Sequence, residues 1–168
     1  MAFAGALTGR MYQARGRISR QGGFTFVEFM VVGLVFAIIA TIALPSFQNM
    51  TASSNLRSTT TDLITAINAA RAEAVNLRAE ITLRPRNGTD WSTGWVIDYE
   101  AGGIQQTNQE FQPSANVTVQ TIEGDNVIFR PNGTASREMD FRVCGSNGGR
   151  RVQVTRVGRV TNVEQACS

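Results

Sequence analysis

Gly22-Gly23-Phe24-Thr25-Phe26-Val27-Glu28-Phe29-Met30-Val31-Val32 opens an apolar run that continues to Leu44 and ends at Pro45-Ser46-Phe47. From Phe29 to Leu44 there is no charge, and only Gly33 and Thr41 interrupt the large aliphatic and aromatic side chains. As a helix, the 21 residues from Phe24 to Leu44 rise about 32 Å, enough for a hydrocarbon core of about 30 Å. Yet Glu28 sits one turn inside the run. An ionisable group in a membrane helix costs roughly 2.5 kcal/mol or more and points to a function and a partner. The run itself supplies no such partner.

Residues 1–23 contain Arg10, Arg15, Arg17 and Arg20 and no acid. Basic residues ahead of an apolar run hold that end in the cytoplasm. A secretory signal places a small-residue cleavage site after the apolar run; here none follows, and Gly22-Gly23 precedes it. The segment resembles a type IV prepilin leader: a basic stretch ending in Gly, then Phe, with Glu as fifth residue of the mature chain. Gly23, Phe24 and Glu28 match that pattern. Pro45 matches the proline that follows about 22 residues into such a helix. The resemblance implies cleavage between Gly23 and Phe24 by a membrane-embedded prepilin peptidase and N-methylation of Phe24. It also implies a partner for Glu28: the α-amino group of a neighbouring subunit's first residue, which would set the register of assembly.

The leader changes how the composition reads. The whole chain carries a formal charge of +3 and a pI near 9.5, which invites a nucleic-acid partner. Removing the leader's four Arg leaves 12 Arg against 13 acids, a net charge of −1. There is no Lys and no His, so a His general base or His metal ligand is excluded. Charge is uneven along the rest: residues 87–140 hold eight acids and two Arg, residues 141–168 five Arg and only Glu164.

The mature length of 145 residues suits an apolar helix plus one domain of about 100 residues. If the bulk of the chain is translocated, Cys144 and Cys167 are most simply a disulfide that ties the C-terminus to the strand holding Cys144. Such a loop closure is worth on the order of 3 kcal/mol. Two Cys without His make no metal site, and no cofactor is expected.

Beyond Pro45, which lacks a backbone donor and is expected to kink or loosen the helix, the helical pattern resumes. Leu56, Leu63, Ile67, Ala70, Ala74 and Leu77 form one stripe of an amphipathic helix reaching about Asn76. The period then switches to two. Ile81 and Leu83 read as a short strand stopped by Pro85, and Asn87-Gly88 as a turn into Trp95, Ile97 and Tyr99. Residues 101–115 are polar and aperiodic, hence a surface loop. Val117 and Val119, then Val127 and Phe129, then Met139, Phe141 and Val143, mark further strands. Turns at Pro131-Asn132-Gly133 and Ser146-Asn147-Gly148-Gly149 divide them. Val152 and Val154 follow, and after a break near Gly158 come Val160 and Val163. A long helix followed by six or seven short strands is an α+β chain.

Four later segments resemble the FimT/FimU-type minor pilins and pseudopilin H (GspH) of type II secretion. They are Ala70-Arg71-Ala72-Glu73-Ala74-Val75, Gly94-Trp95-Val96, Phe129-Arg130-Pro131-Asn132-Gly133 and Val157-Gly158-Arg159-Val160. The resemblance implies a spine helix whose C-terminal half packs on an antiparallel β-sheet domain. It divides the chain into a cleaved leader (1–23), a membrane or filament-core helix half (24–45) and a periplasmic domain (46–168). Implied partners are other minor pilins, a major pilin or pseudopilin, the prepilin peptidase and the bacterial inner membrane, with the N-terminus cytoplasmic before assembly into a filament.

Three functions from different classes follow. The first, and favoured, is a structural subunit of a type IV pilus that helps initiate assembly at or near the tip. The Cys pair, common among pilins, favours this over a type II secretion pseudopilus. The second is DNA capture. Some FimT-type minor pilins bind DNA through a C-terminal G-R-x-R motif, but Gly149-Arg150-Arg151-Val152 and Gly158-Arg159-Val160-Thr161 both lack the final Arg. Arg142, Arg150, Arg151, Arg156 and Arg159 would suit phosphate contacts, yet solvated strand residues paired with acids explain them as well and are preferred. The third is an enzyme using Asp98 with Glu100, or Glu138 with Asp140, each pair two apart on a strand. Alternating charge opposite an apolar face is the commoner cause of that spacing, so no activity is expected.

Overall fold

The structure, a computed structural model, describes residues 23–122 and 126–167. The leader expected over residues 1–23 therefore lies outside the described residues except for Gly23. Two units divide the chain, one to Ala40 and one from Thr41. The helix α1 (Phe26–Leu77) contributes to both. Within the first unit every described residue is solvent-exposed.

In the second unit α1 buries Leu56, Thr59, Thr60, Leu63, Ala66, Ile67, Ala70 and Ala74. Steps of three and four put all of these on one face, as the stripe requires. Leu77 departs from expectation: at the helix end it is 37% exposed. Thr59 and Thr60 join the core because their hydroxyls are satisfied there. Thr60 donates to the Leu56 carbonyl at 2.7 Å, and Thr59 accepts the Ser114 amide at 2.8 Å. A buried hydroxyl with a partner avoids the desolvation cost of an orphan.

Among the described residues eight strands follow: β1 (Ile81–Asn87), β2 (Asp90–Asp98), β3 (Gln109–Phe111), β4 (Thr118–Thr121), β5 (Val127–Phe129), β6 (Met139–Gly145), β7 (Gly148–Val154) and β8 (Val160–Glu164). They form two antiparallel four-stranded sheets, β3-β2-β1-β5 and β4-β6-β7-β8. The residues expected to form one polar loop over 101–115 instead contain a 3-10 turn (Glu100–Gly102) and β3. Only Phe111 of β3 packs on the core, so the strand carries no period-two signal.

Pro85 does not stop β1. It pairs with Trp95 across the ladder, and a register irregularity follows before Asn87. β5 pairs with β1 only over Ile81–Leu83. Pro85 therefore lies past the end of that ladder, where its missing N–H interrupts nothing.

The core lies between α1 and the two sheets: Leu63, Ile67, Ile81, Leu83, Trp91, Trp95, Ile97, Phe129, Phe141, Val143 and Val152 are among its buried members. Trp91 of the first sheet meets Phe141 of the second edge-on at 4.7 Å. The Ser92 hydroxyl donates to the Val119 carbonyl at 3.1 Å and accepts the Val119 amide at 3.2 Å, joining β2 to β4. At the far end of the buried helix face, Arg71 donates from Nε to the Gly133 carbonyl at 2.9 Å and from Nη1 to the Gly158 carbonyl at 3.0 Å. The first carbonyl belongs to the turn after β5 and the second to the β7–β8 turn.

Cys144 on β6 is bonded to Cys167 beyond β8, with Cα atoms 5.9 Å apart. The bridge spans β7 at Gly149, which pairs with Cys144 and whose carbonyl accepts the Gln165 amide at 3.1 Å. A Cβ at Gly149 would run into the Cys167 sulfur and come within 2.8 Å of the Gln165 carbonyl. The expected outcome for Gly149→Ala is a loss of about 1–3 kcal/mol through overpacking together with free thiols in the folded protein. Thermal melting with thiol titration checks both.

Candidate functional site

Gly23 and Phe24 precede the helix in irregular backbone, and Phe24 is 88% exposed. Thr25 caps the helix and Glu28 answers it. The Thr25 amide donates to Glu28 Oε2 at 3.1 Å, the Thr25 hydroxyl to the same oxygen at 3.3 Å, and the Glu28 amide to the Thr25 hydroxyl at 3.2 Å. This reciprocal pattern is a capping box, and a carboxylate in a first turn also suits the helix dipole. The signal was in the Thr25-x-x-Glu28 spacing, which the membrane reading of the segment passed over. Glu28 is thus not partnerless within its own chain: it already terminates the helix that carries it.

The helix face beyond it has no such satisfaction. Phe26, Phe29, Met30, Leu34, Phe36, Ile42, Leu44, Phe47 and Met50 are each at least 60% exposed. By length and composition α1 can cross a membrane. Apolar surface this extensive requires a cover, lipid or protein. The helix passes through Pro45 without interruption.

The five C-terminal arginines, for which pairing with acids is the reading preferred over a single basic patch, separate into two groups, and two of them are paired with acids among the described residues. Arg150 pairs with Glu164 at 3.3 Å. Arg151 is held bidentately by Asp140, which also accepts from Gln153 at 3.2 Å. Arg156 and Arg159 sit apart from these in the β7–β8 turn, where both are exposed. Arg142 lies beside Arg151 across the ladder.

Asp98 and Asp140, one acid of each carboxylate pair, are both engaged in ion pairs. Asp98 ends β2, whereas Glu100 starts the 3-10 turn. Asp98 binds Arg84 at 2.7 Å and accepts the Ala101 amide at 3.1 Å. Burial pushes its carboxyl up, but those donors outweigh burial and hold it below the ordinary value. For Asp140 the Arg151 hydrogen bond is the largest influence; it outweighs burial and, with Gln153, holds the carboxyl low. Both acids are ion-pair members kept charged, the opposite of what a proton donor needs. Among the described residues no group of His, Cys, Asp and Glu has the arrangement of a metal site.

A family model described as type II transport protein GspH matches residues 59–158, more than half of the 168-residue chain. The chain belongs to the GspH family of minor pilins and pseudopilins. Two crystal structures of FimU, a type IV minor pilin of Pseudomonas aeruginosa PAO1, are 25% identical to it, with TM-scores of 0.56 and 0.58. They cover 67% and 71% of this chain and 100% and 99% of theirs. The minor pseudopilin EpsH of the Vibrio cholerae type 2 secretion system shares the fold at 9% identity, TM-score 0.51, over 66% of this chain and 97% of its own. No curated protein matches by sequence alone. Three of the four segments that resemble this family meet at Arg71, which binds the turn of Phe129–Gly133 and that of Val157–Val160.

Because the folded Asp98 and Asp140 titrate below their ordinary value of 3.8, the stability they confer is full above that value and is lost as pH falls through their lower folded values. Chemical denaturation from pH 7 to pH 2 is expected to show a fall concentrated below about pH 4, and Asp140→Asn is expected to flatten that fall. An unchanged acid limb in Asp140→Asn would contradict the assignment.

Proposed function

We propose that this GspH-family chain is a minor subunit of a type IV pilus that helps start the filament at or near its tip. The observation that carries this reading is the exposed apolar face of α1 from Phe26 to Met50, headed by the Thr25–Glu28 cap. Such a face needs lipid first and protein later. In this reading residues 1–23 are a leader removed between Gly23 and Phe24 by a prepilin peptidase, and Phe24 is N-methylated. Residues 24–45 rest in the inner membrane with the N-terminus cytoplasmic, and residues 46–168 fold in the periplasm. Extraction into the filament then replaces lipid by the helices of neighbouring pilins.

Glu28 has a definite part in that exchange. Its carboxylate accepts from Thr25, leaving lone pairs free at an exposed site. A neighbour's new α-amino group would be neutralised there, fixing axial register. Cleavage before Phe24 leaves both capping atoms of Thr25 in place.

The likeness to FimU, nearly the whole of whose chain is matched at 25% identity, supports a pilus over a secretion pseudopilus. The GspH family description favours the second reading, a type II secretion pseudopilin in protein export. DNA capture is disfavoured because Asp140 holds Arg151 and because neither Gly149-Arg150-Arg151-Val152 nor Gly158-Arg159-Val160-Thr161 carries the final Arg of the DNA-binding motif. Deleting the gene and scoring piliation with twitching against enzyme secretion separates the two filaments. Loss of pili with normal secretion is expected; the reverse would overturn the preference.

The cap sharpens the test of Glu28. Glu28→Gln keeps an acceptor for Thr25 but carries no charge, whereas Glu28→Ala loses both. Membrane insertion is expected to survive in each, and incorporation into sheared filaments to fail in each. Rescue by Gln would mean that the cap, not the charge, is what assembly requires.

A further inference from the structure

A cleft of about 400 Å³ runs between α1 and the start of β7, lined by Ser53, Leu56 and Arg57 on one side and Asn147 to Arg150 on another, with Glu164 to Ala166 as a third wall. A second cleft of about 220 Å³ continues it past Arg57, Thr60 and Thr61 to Arg150 and Asn162. Arg57 and Arg150 line both, so the two are one groove with two guanidinium groups in common. Arg57 has no ion-pair partner among the described residues. Among the described residues Arg150, its own side chain 21% exposed, is paired with Glu164, whose side chain is 85% exposed. With its acid that open to water and a single contact at 3.3 Å, the pair contributes little, so a competing carboxylate displaces Glu164 at small cost.

The rest of the lining suits an acceptor. Among the described residues of the lining, Ser53, Thr61 and Asn162 offer donors, and Glu164 is the one acid. The third wall is held in place: Gln165 bonds to Gly149, and Cys167 is tied to Cys144. A wall fixed before binding spares the ordering cost that a loose tail would add. β8, which contributes Asn162 and Glu164, is an edge strand that pairs, among the described residues, with β7 alone. A free edge accepts an extended chain through its backbone groups while side chains reach pockets alongside.

We propose that this groove binds carboxylates and takes an acidic, extended segment of another filament subunit, with Arg57 and Arg150 as anchors. The partner's identity rests on the filament-subunit reading above; the chemistry of the groove does not. Arg forks prefer planar carboxylates bidentately.

The test uses the full chain in detergent micelles and a fluorescein-labelled hexaglutamate peptide, followed by anisotropy at low salt. Saturable binding is expected, weakened at least about tenfold by Arg57→Ala or Arg150→Ala, the loss of one charge-assisted contact. Arg156→Ala, in the β7–β8 turn away from the groove, is expected to leave it unchanged, and Glu164→Gln to tighten it by freeing Arg150. Arg57 is exposed, so its variant keeps the fold, which circular dichroism checks. Absent saturation, equal weakening by Arg156→Ala, or tighter binding of a thymidylate hexanucleotide than of the peptide would each overturn the proposal. Normal piliation and secretion after gene deletion would instead remove the filament reading and leave the peptide result standing.

Discussion

Arg71 leaves the buried face of α1 and reaches two backbone carbonyls 62 and 87 residues further along the chain. The Gly133 turn closes the end of β5, in one sheet; the Gly158 turn joins β7 to β8, in the other. These turns touch each other as well, through the Ala135 amide on the Arg156 carbonyl at 2.9 Å. Hydrogen bonds from a charged donor are worth about 1.5–3 kcal/mol each when their loss strands a partner. Hydrophobic burial drives the collapse of helix on sheets, but it is non-directional. Arg71 supplies direction, because its planar fork fits only one relative placement of the two turns. Gly158 adopts φ +76°, and a Cβ there would meet the Arg71 side chain at 2.7 Å. The glycine is thus part of the same joint.

The same helix meets opposite demands along its length. Between Leu56 and Ala74 it is covered by its own domain. From Phe26 to Met50 its large apolar side chains are uncovered. Glu28 stands where the second demand begins, and its capping bonds explain why a carboxylate is tolerated there before any neighbour arrives. The disulfide has a comparable double part. It closes the C-terminal strands over Gly149 and fixes one wall of the groove beside Arg57 and Arg150.

Much of this was legible in the residues. The stripe from Leu56 to Ala74, the strands around Trp95, Phe129, Phe141 and Val152, and the Cys pair follow from periodicity and from simple counting. β3 was not legible, because Gln109 and Glu110 are exposed and backbone pairing alone makes it a strand. Pro85 misled because its tolerance depends on where β5 stops, a long-range fact. The four family segments were recognised one by one; that three converge on Arg71 is a property of the fold. That the C-terminal arginines pair with acids is the preferred reading of their sequence, but chain order says nothing of which acids lie across the sheet. Asp140 and Glu164 decide that.

Arg71 locks the two turns to the helix. Hydrogen exchange in Arg71→Ala tests it most directly, read at the Gly133, Ala135 and Gly158 amides, which bond to Arg130, Arg156 and Thr155. Protection is expected to fall at all three while the β1–β2 ladder keeps its own. Protection unchanged at the turns, or lost evenly throughout the domain, would contradict a local joint.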